Sequence, residues 1–353
     1  MPYHFKKLLV SGKMGRTMGK NSGIQGLRAL AASLVVLQHG IFFACLAKGV
    51  DFTPYLPIGL GWIGVSIFFV ISGYVMTLCL PQGHMFIVQR IARIYPAYWA
   101  AVLLSAASLP LWSRIWSIDT RSLSLLPTTV FNESYGVPYW TLIYEMVFYV
   151  VMYAFIMLGV RRTHMAVALT IWGVAIAAVC QSNVHPAFGT DIGAIAAGRW
   201  ILLSPANFMF IVGALYGLVG QDVFKRTSPL SLAIHAAVLF FISQTLAMPF
   251  YVRFLTWGVA YVCVLDLARR IKVPTFLERA GDYSYGLYLV QTILIHCAIG
   301  ALLVLAPKAS LGMYVLIALG TAIIGGIAFG ALEFHFHARF VKVALRRPGI
   351  QGS

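Results

Sequence analysis

The stretch IGLGWIGVSIFFVISGYVMTLCL, residues 58–80, is apolar from end to end and contains no charged side chain. As a helix, a segment of this length rises about 34 Å at about 1.5 Å per residue, enough to cross a hydrocarbon core of about 30 Å. A backbone surrounded by lipid must satisfy its own hydrogen bonds, which a helix does. The stretch therefore predicts a transmembrane helix.

Nine further stretches have the same character. The chain has 353 residues, of which 60% are hydrophobic and 10% charged, and its mean hydropathy is +0.85; soluble globular domains do not reach such values. The ten predicted spans are residues 27–47, 58–80, 94–111, 138–160, 165–181, 200–219, 229–247, 250–268, 284–305 and 311–334. The composition therefore predicts an all-α polytopic membrane helix bundle of about ten helices.

The net charge of +16 is compatible with a nucleic-acid partner or with the topology of a membrane protein. If the amino terminus is cytoplasmic, 20 of the 26 Lys and Arg residues fall on the cytoplasmic side. The six on the outer side are Lys48, Arg114, Arg121, Arg199, Arg253 and Lys308. This asymmetry follows the positive-inside rule. It predicts two cytoplasmic termini, and it favours membrane lipid rather than nucleic acid as the surrounding partner.

The two ends of the chain differ from its middle. We expect residues 1–22 to form a disordered basic segment, residues 23–338 the membrane domain, and residues 339–353 a basic cytoplasmic tail.

The five cysteines lie one per span and lack C-x-x-C spacing, so we expect no disulfide framework and no metal site from them. His335 and His337 project from different helical faces at their spacing of two residues, which disfavours shared metal ligation.

His39 and Glu145 are ionisable side chains inside separate apolar spans. Counted from the predicted outer ends at residues 47 and 138, they lie about 12 Å and about 10 Å deep. Ionisable groups at such depth are costly when they face lipid and usually mark a pathway or a reaction site. A carboxylate beside an imidazole suits general base catalysis. The pair is therefore a candidate catalytic site, and a plain helix–helix hydrogen bond is the alternative.

Three arginines lie nearer the cytoplasm. Arg28 precedes His39 by eleven residues, about 16 Å along a helix, and Arg90 and Arg93 share one face just before the third span. Guanidinium groups bind phosphate through forked hydrogen bonds. The set suits a long substrate with a phosphate head, although the pattern of Arg90 and Arg93 by itself favours a role as topology determinants.

Five motifs follow one another between residues 24 and 291. They are GLRALAA at 26–32 with QH at 38–39, GVSIFFVISGY at 64–74, RIARIYPAY at 90–98, WTLIYE at 140–145 with FY at 148–149, and GDYSYGLYL at 281–289. Together they resemble the acyltransferase-3 family of integral membrane proteins, and most closely its succinoglycan-type exopolysaccharide O-acetyltransferases. One position departs from the pattern, because Gln291 stands where many relatives carry His.

The resemblance implies a multi-pass enzyme of the bacterial inner membrane. Such an enzyme takes acetyl from cytoplasmic acetyl-CoA, or another acyl-CoA, and passes it to a hydroxyl of an exported polysaccharide or lipid-linked oligosaccharide. Arg28, Arg90 and Arg93 would then bind the CoA phosphates, with His39 as general base and Glu145 orienting it. A proton-coupled transporter of a glycan or anionic small molecule is the competing prediction, and a structural subunit of a polysaccharide assembly complex is a third.

Overall fold

The structure is a computed structural model that describes residues 21–111, 120–127, 136–182 and 198–341. Those residues are helical apart from turns and short linkers, and they contain no strand. The helices, labelled in chain order, are α1 Ser22–Lys48, α2 Leu60–Leu78, α3 Met85–Ala107, α4 Thr120–Leu123, α5 Tyr139–Met157, α6 Arg162–Gln181, α7 Asn207–Leu215, α8 Gln221–Phe224, α9 Pro229–Thr245, α10 Phe250–Arg270, α11 Thr275–Leu305 and α12 Leu311–Phe336. The all-α prediction is confirmed.

Within the described residues, 8 helical segments are long and apolar enough to cross a membrane. They comprise α1, α2, α5, α6, the segment Asn207–Phe224, α10, α11 and the segment Leu311–Val341. The other two predicted spans are also covered by helices: α3, which carries Arg90 and Arg93, and α9, which has 17 residues. The protein is therefore a multi-pass membrane bundle, as the hydropathy predicts.

The ends of the bundle lie near the predicted domain boundaries. Asn21 caps α1, because its side chain accepts a hydrogen bond from the Ile24 N–H at 3.0 Å and donates one to the Arg269 carbonyl at 3.0 Å. After α12 the chain continues as a turn of π-helix, His337–Val341. Residues 1–20 and 342–353, which hold most of the two predicted basic segments, lie outside the described residues, so those domain boundaries stay predictions.

Glycines allow the central helices to approach one another closely. A Cβ on Gly73 of α2 would lie 2.2 Å from the Phe210 carbonyl oxygen of α7, and one on Gly213 would lie 2.2 Å from the Val70 carbonyl oxygen. The two helices thus cross with backbone against backbone. In lipid, where apolar burial drives little association, such small-residue contacts supply the packing.

The described part of the connection between α3 and α5 packs against α3. The Tyr95 and Tyr98 hydroxyls donate to the carbonyl oxygens of Ser124 and Ser122 at 2.7 and 2.8 Å. Tyr98 lies nine residues before the end of α3, about 14 Å below that end. Ser122 and Leu125 of this segment are buried, whereas most of its other residues are exposed. The two tyrosines therefore hold a largely exposed segment against α3.

A polar network ties the carboxyl-terminal end of α10 to its neighbours. Asp266 is 5% exposed and pairs with Arg270 at 2.5 Å and with Arg269 at 3.5 Å. The Tyr216 hydroxyl donates to the same carboxylate, and the Arg269 guanidinium lies 4.9 Å from the centre of the Tyr74 ring. Arg269 thus holds α10 against α2 and the turn after α7, and Arg270 donates to the carbonyl oxygens of Phe224 and Thr227.

We expect Gly73→Ala to destabilise the protein by about 1–3 kcal/mol, because the added methyl group overpacks a backbone contact. Gly320→Ala is the matched control, since a Cβ at Gly320 meets nothing within 4 Å and alanine is the better helix former. Thermal melting of the detergent-solubilised protein, followed by tryptophan fluorescence, compares the two. Equal melting temperatures would contradict the proposed close crossing.

Candidate functional site

A cavity of about 900 Å³, its open mouth included, lies between α1, α2, α3, α5 and α11. Its polar walls include the side chains of Arg28, Arg90, Arg93, Glu145, Tyr149, Tyr285 and Tyr288. Apolar side chains of α2, such as Val65, Phe68 and Phe69, line much of the rest. Four of the five predicted site residues therefore share one cavity, although they come from three helices.

The guanidinium groups of the arginines contact other residues of the cavity wall, and some of their N–H groups have no hydrogen-bond partner in the part of the chain that the structure describes. Arg90 Nη2 lies 2.7 Å from Cys79 Sγ, and its guanidinium lies 5.8 Å from the centre of the Tyr149 ring. Arg93 lies over the Tyr285 ring at 5.4 Å. The Nε atoms of Arg28 and Arg90 are buried and have no hydrogen-bond partner among the described residues. Buried, unsatisfied guanidinium donors suit an anionic ligand that accepts their hydrogen bonds.

Glu333 of α12, which the sequence analysis did not single out, pairs with a cavity arginine but does not itself line the cavity. Its Oε1 lies 3.0 Å from Arg93 Nη1, and its side chain is 6% exposed. The criterion applied to His39 and Glu145, an ionisable residue inside an apolar span, also selects Glu333, since it lies within residues 311–334. It was missed because it stands near the predicted end of that span.

Glu145 has a different partner from the one predicted. Its Oε1 accepts a hydrogen bond from the Tyr149 hydroxyl, one turn further along α5. The carboxylate lines the same cavity as the three arginines. It therefore supplies negative charge beside a cluster of cations.

His39 is half-buried and pairs with Gln291, which is fully buried on α11. The Gln291 amide nitrogen and His39 Nδ1 lie 2.7 Å apart. His39 is not among the residues that line the cavity. The expected contact between Glu145 and His39 is thus replaced by two separate hydrogen bonds, one to Tyr149 and one to Gln291.

Glu145 and His39 are separated because α5 begins at a different height along the bundle axis from the one predicted. Thr141 Oγ1 and the Tyr288 hydroxyl lie 2.9 Å apart, so the start of α5 is level with the middle of α11. From that level Glu145 lies four residues inward, about 6 Å, and Gln291 three residues outward, about 4.5 Å. The sequence estimate placed the start of α5 at the outer surface and therefore set Glu145 too near to His39.

The remaining histidines of the spans make local contacts. Nδ1 of His296 and Nδ1 of His335 each lie 2.7 Å from the backbone carbonyl oxygen four residues earlier. Among the described residues, no group of three or more His, Cys, Asp and Glu side chains is arranged to hold a metal ion.

Residues 21–331 match the acyltransferase-3 family, described as an acyltransferase domain. The chain belongs to this family. It is 29% identical over 321 residues to the exopolysaccharide production protein ExoZ of Rhizobium meliloti, an alignment that covers 83% of this chain and 93% of the relative. It is 23% identical over 321 residues to nodulation protein 10 of Rhizobium leguminosarum bv. viciae, covering 80% and 84%.

The chain is also 24% identical over 384 aligned residues to the peptidoglycan O-acetyltransferase OatA of Listeria monocytogenes, covering 92% of this chain and 56% of the relative. No solved structure matches the chain. Family membership confirms the resemblance carried by the five motifs and the prediction of an acyltransferase. It also decides for the enzyme over the transporter and the structural subunit.

We expect Glu333→Ala to lower the stability of the bundle by about 1–3 kcal/mol, because it leaves Arg93, whose side chain is 24% exposed, without its charged partner. Asp222→Ala is the control, since the Asp222 and Lys225 side chains are 85% and 72% exposed and such surface pairs contribute little. Melting temperatures in detergent measure both changes. Equal losses in the two variants would show that the Arg93–Glu333 pair does not stabilise the fold.

Proposed function

We propose that the protein transfers an acetyl group from cytoplasmic acetyl-CoA to a hydroxyl of a polysaccharide or lipid-linked oligosaccharide at the outer side of the bacterial inner membrane. The observation that carries the proposal is one cavity, lined by three arginines, that extends outward to within about one helical turn of the His39–Gln291 pair. The names of ExoZ and OatA, which refer to exopolysaccharide production and to O-acetylation of peptidoglycan, support the acceptor class.

The arginine end of the cavity suits the phosphates of CoA. Among the described residues, Arg93 is paired with Glu333, whereas Arg28 and Arg90 make no ion pair with a carboxylate. The cavity therefore keeps an excess of positive charge and free guanidinium donors at the side where CoA is found. Hydrogen bonds from guanidinium to phosphate are charge-assisted and frequently bidentate.

The His39 end suits the transfer step. If the Gln291 amide is oriented with its oxygen toward His39, that oxygen accepts the Nδ1–H and leaves the Nε2 lone pair free; the oxygen and nitrogen of such an amide are assigned and not observed. Nε2 then accepts the proton of the acceptor hydroxyl. The hydroxyl oxygen bonds to the acetyl carbon, the carbon–sulfur bond breaks, and the proton passes to the CoA thiolate.

Glu145 has a different role in this proposal from the one expected of it. Its hydrogen bond to Tyr149 and its position beside the arginines suit a negative charge that partly balances the arginines and keeps their guanidinium groups in place. Gln291 takes over the orientation of His39, through a hydrogen bond that crosses from α11 to α1.

We expect His39→Ala to lower acetyl transfer by about 100-fold or more, the contribution typical of a general base, while the protein accumulates normally in the membrane. Inverted membrane vesicles supplied with labelled acetyl-CoA report the label that enters glycan. His235→Ala is the control, because His235 is an exposed histidine of α9. Normal incorporation by His39→Ala would overturn the assignment of His39.

We expect Arg90→Ala to raise KM for acetyl-CoA by about 10- to 100-fold with a smaller effect on kcat, because charge-assisted hydrogen bonds contribute about 1.5–3 kcal/mol. The thioester S-acetylpantetheine lacks the CoA phosphates, so its KM should be the same in the variant and the wild type. Arg226→Ala, at an exposed cytoplasmic arginine, is the control. An equal rise of KM for both thioesters would argue against phosphate binding by Arg90.

A further inference from the structure

Two hydroxyl groups face each other at the outward end of the cavity. The Tyr288 hydroxyl of α11 and Thr141 Oγ1 of α5 lie 2.9 Å apart, and both residues line the cavity. Tyr288 is 8% exposed and Thr141 is 5% exposed. They are therefore polar groups in a nearly dry setting, where a hydrogen bond to a developing charge is stronger than in water.

The surroundings of this hydroxyl pair are apolar. The Phe68 ring packs edge-on to the Tyr288 ring, with 5.8 Å between centroids, and Val65 and Phe69 complete the nearby wall. Along α5 the next charged residue of the cavity is Glu145, one helical turn from Thr141, and a carboxylate accepts hydrogen bonds but does not donate them. The two hydroxyls are therefore the donors that this part of the wall offers to a reactive carbonyl.

The hydrogen bonds around Thr141 indicate which of the two hydroxyls is the donor in the Thr141–Tyr288 contact. Thr141 Oγ1 donates to the Pro138 carbonyl oxygen at 2.9 Å, and a threonine hydroxyl has one proton. In the Thr141–Tyr288 contact the tyrosine is therefore the donor and the threonine the acceptor. Tyr288 therefore holds the O–H group that is directed along this contact.

Tyr288 also stands between the two ends of the proposed site. It precedes Gln291 by three residues on α11, which puts their side chains on neighbouring positions of one helix face, with Cβ atoms about 5–6 Å apart. Gln291 contacts His39 directly. An acyl carbon at the level of Tyr288 would thus lie between the phosphate-binding arginines and the general base.

We propose that Tyr288 is a catalytic residue whose hydroxyl donates a hydrogen bond to the acyl oxygen as negative charge develops on it, and that Thr141 is a positioning residue that aims this hydroxyl. The inference rests on the proposed transfer from acyl-CoA. The acceptor oxygen adds to the acyl carbon while His39 takes its proton, and the carbonyl electron pair moves onto the oxygen that Tyr288 contacts. That pair returns when the carbon–sulfur bond breaks, and the thiolate leaves with the proton from His39.

The test compares Tyr288→Phe with the wild type in vesicles supplied with labelled acetyl-CoA, with rates normalised to the amount of protein in the membrane. Removing one oxyanion donor should lower kcat by about 100- to 1000-fold and leave KM for acetyl-CoA within about twofold, because the ring is kept and the arginines are unchanged. Tyr314→Phe is the matched control. Tyr314 is fully buried, and its hydroxyl has no hydrogen-bond partner among the described residues.

Thr141 provides a second test that keeps Tyr288 in place. Thr141→Val removes the acceptor of the Tyr288 hydroxyl and should lower kcat by about tenfold, the effect of about 1.4 kcal/mol, whereas Thr141→Ser retains the hydroxyl and should recover the loss. If Tyr288→Phe does not accumulate in the membrane, the comparison of Thr141→Val with Thr141→Ser tests the proposed hydroxyl contact instead.

The outcomes separate this inference from the function on which it rests. A wild-type rate in Tyr288→Phe, or a change in KM alone, overturns the role of Tyr288. If transfer still requires His39 in that case, the proposed function stands. A wild-type rate in Thr141→Val overturns the role of Thr141. Wild-type vesicles that move no acetyl from acetyl-CoA to glycan overturn the proposed function itself.

Discussion

Ionisable side chains inside a bilayer have to turn away from lipid, and the arrangement of this bundle follows from that constraint. Arg28, Arg90, Arg93, Glu145 and Glu333 come from four helices, and each would cost several kcal/mol if it faced hydrocarbon. Packed around and beside one cavity, they partly neutralise one another. Three positive and two negative groups leave an excess of positive charge, so the same packing that makes burial tolerable also favours an anionic ligand.

Backbone contacts between helices make such a cavity sustainable. Glycines at the α2–α7 crossing let the two backbones touch, and the long helix α11 packs against α1 and α12 along much of its length. These tight contacts on the outside of the cavity hold the helices that line it. The cavity therefore persists as a gap between well-packed elements and does not have to be held open by its own charges.

The cavity changes in character along the membrane normal. Three arginines and Glu145 line its inner part, whereas the Phe68 ring packs against Tyr288 at the outer part. On the proposed function, this gradient matches a donor that is charged at one end and reactive at the other. It also keeps water from the place where the acyl group would be transferred, which protects a thioester from hydrolysis.

Much of this could be predicted from local properties of the chain. The uninterrupted apolar stretch at residues 58–80 and the others like it define the helices, because membrane thickness and backbone hydrogen bonding leave few alternatives. The arginines, Glu145 and His39 stand out because ionisable residues are rare in such spans. Glu333 meets the same criterion and was missed, since hydropathy does not locate the end of a span to within a turn.

The sequence by itself therefore determined the helices, the family motifs and the candidate ionisable residues. Only the tertiary structure decided which of them meet: His39 with Gln291, Glu145 with Tyr149, Arg93 with Glu333, and Thr141 with Tyr288. The physical reason is that hydropathy reports the length of a span but not its height relative to its neighbours. That height is set by side-chain packing between residues far apart in the chain, and it separates His39 from Glu145.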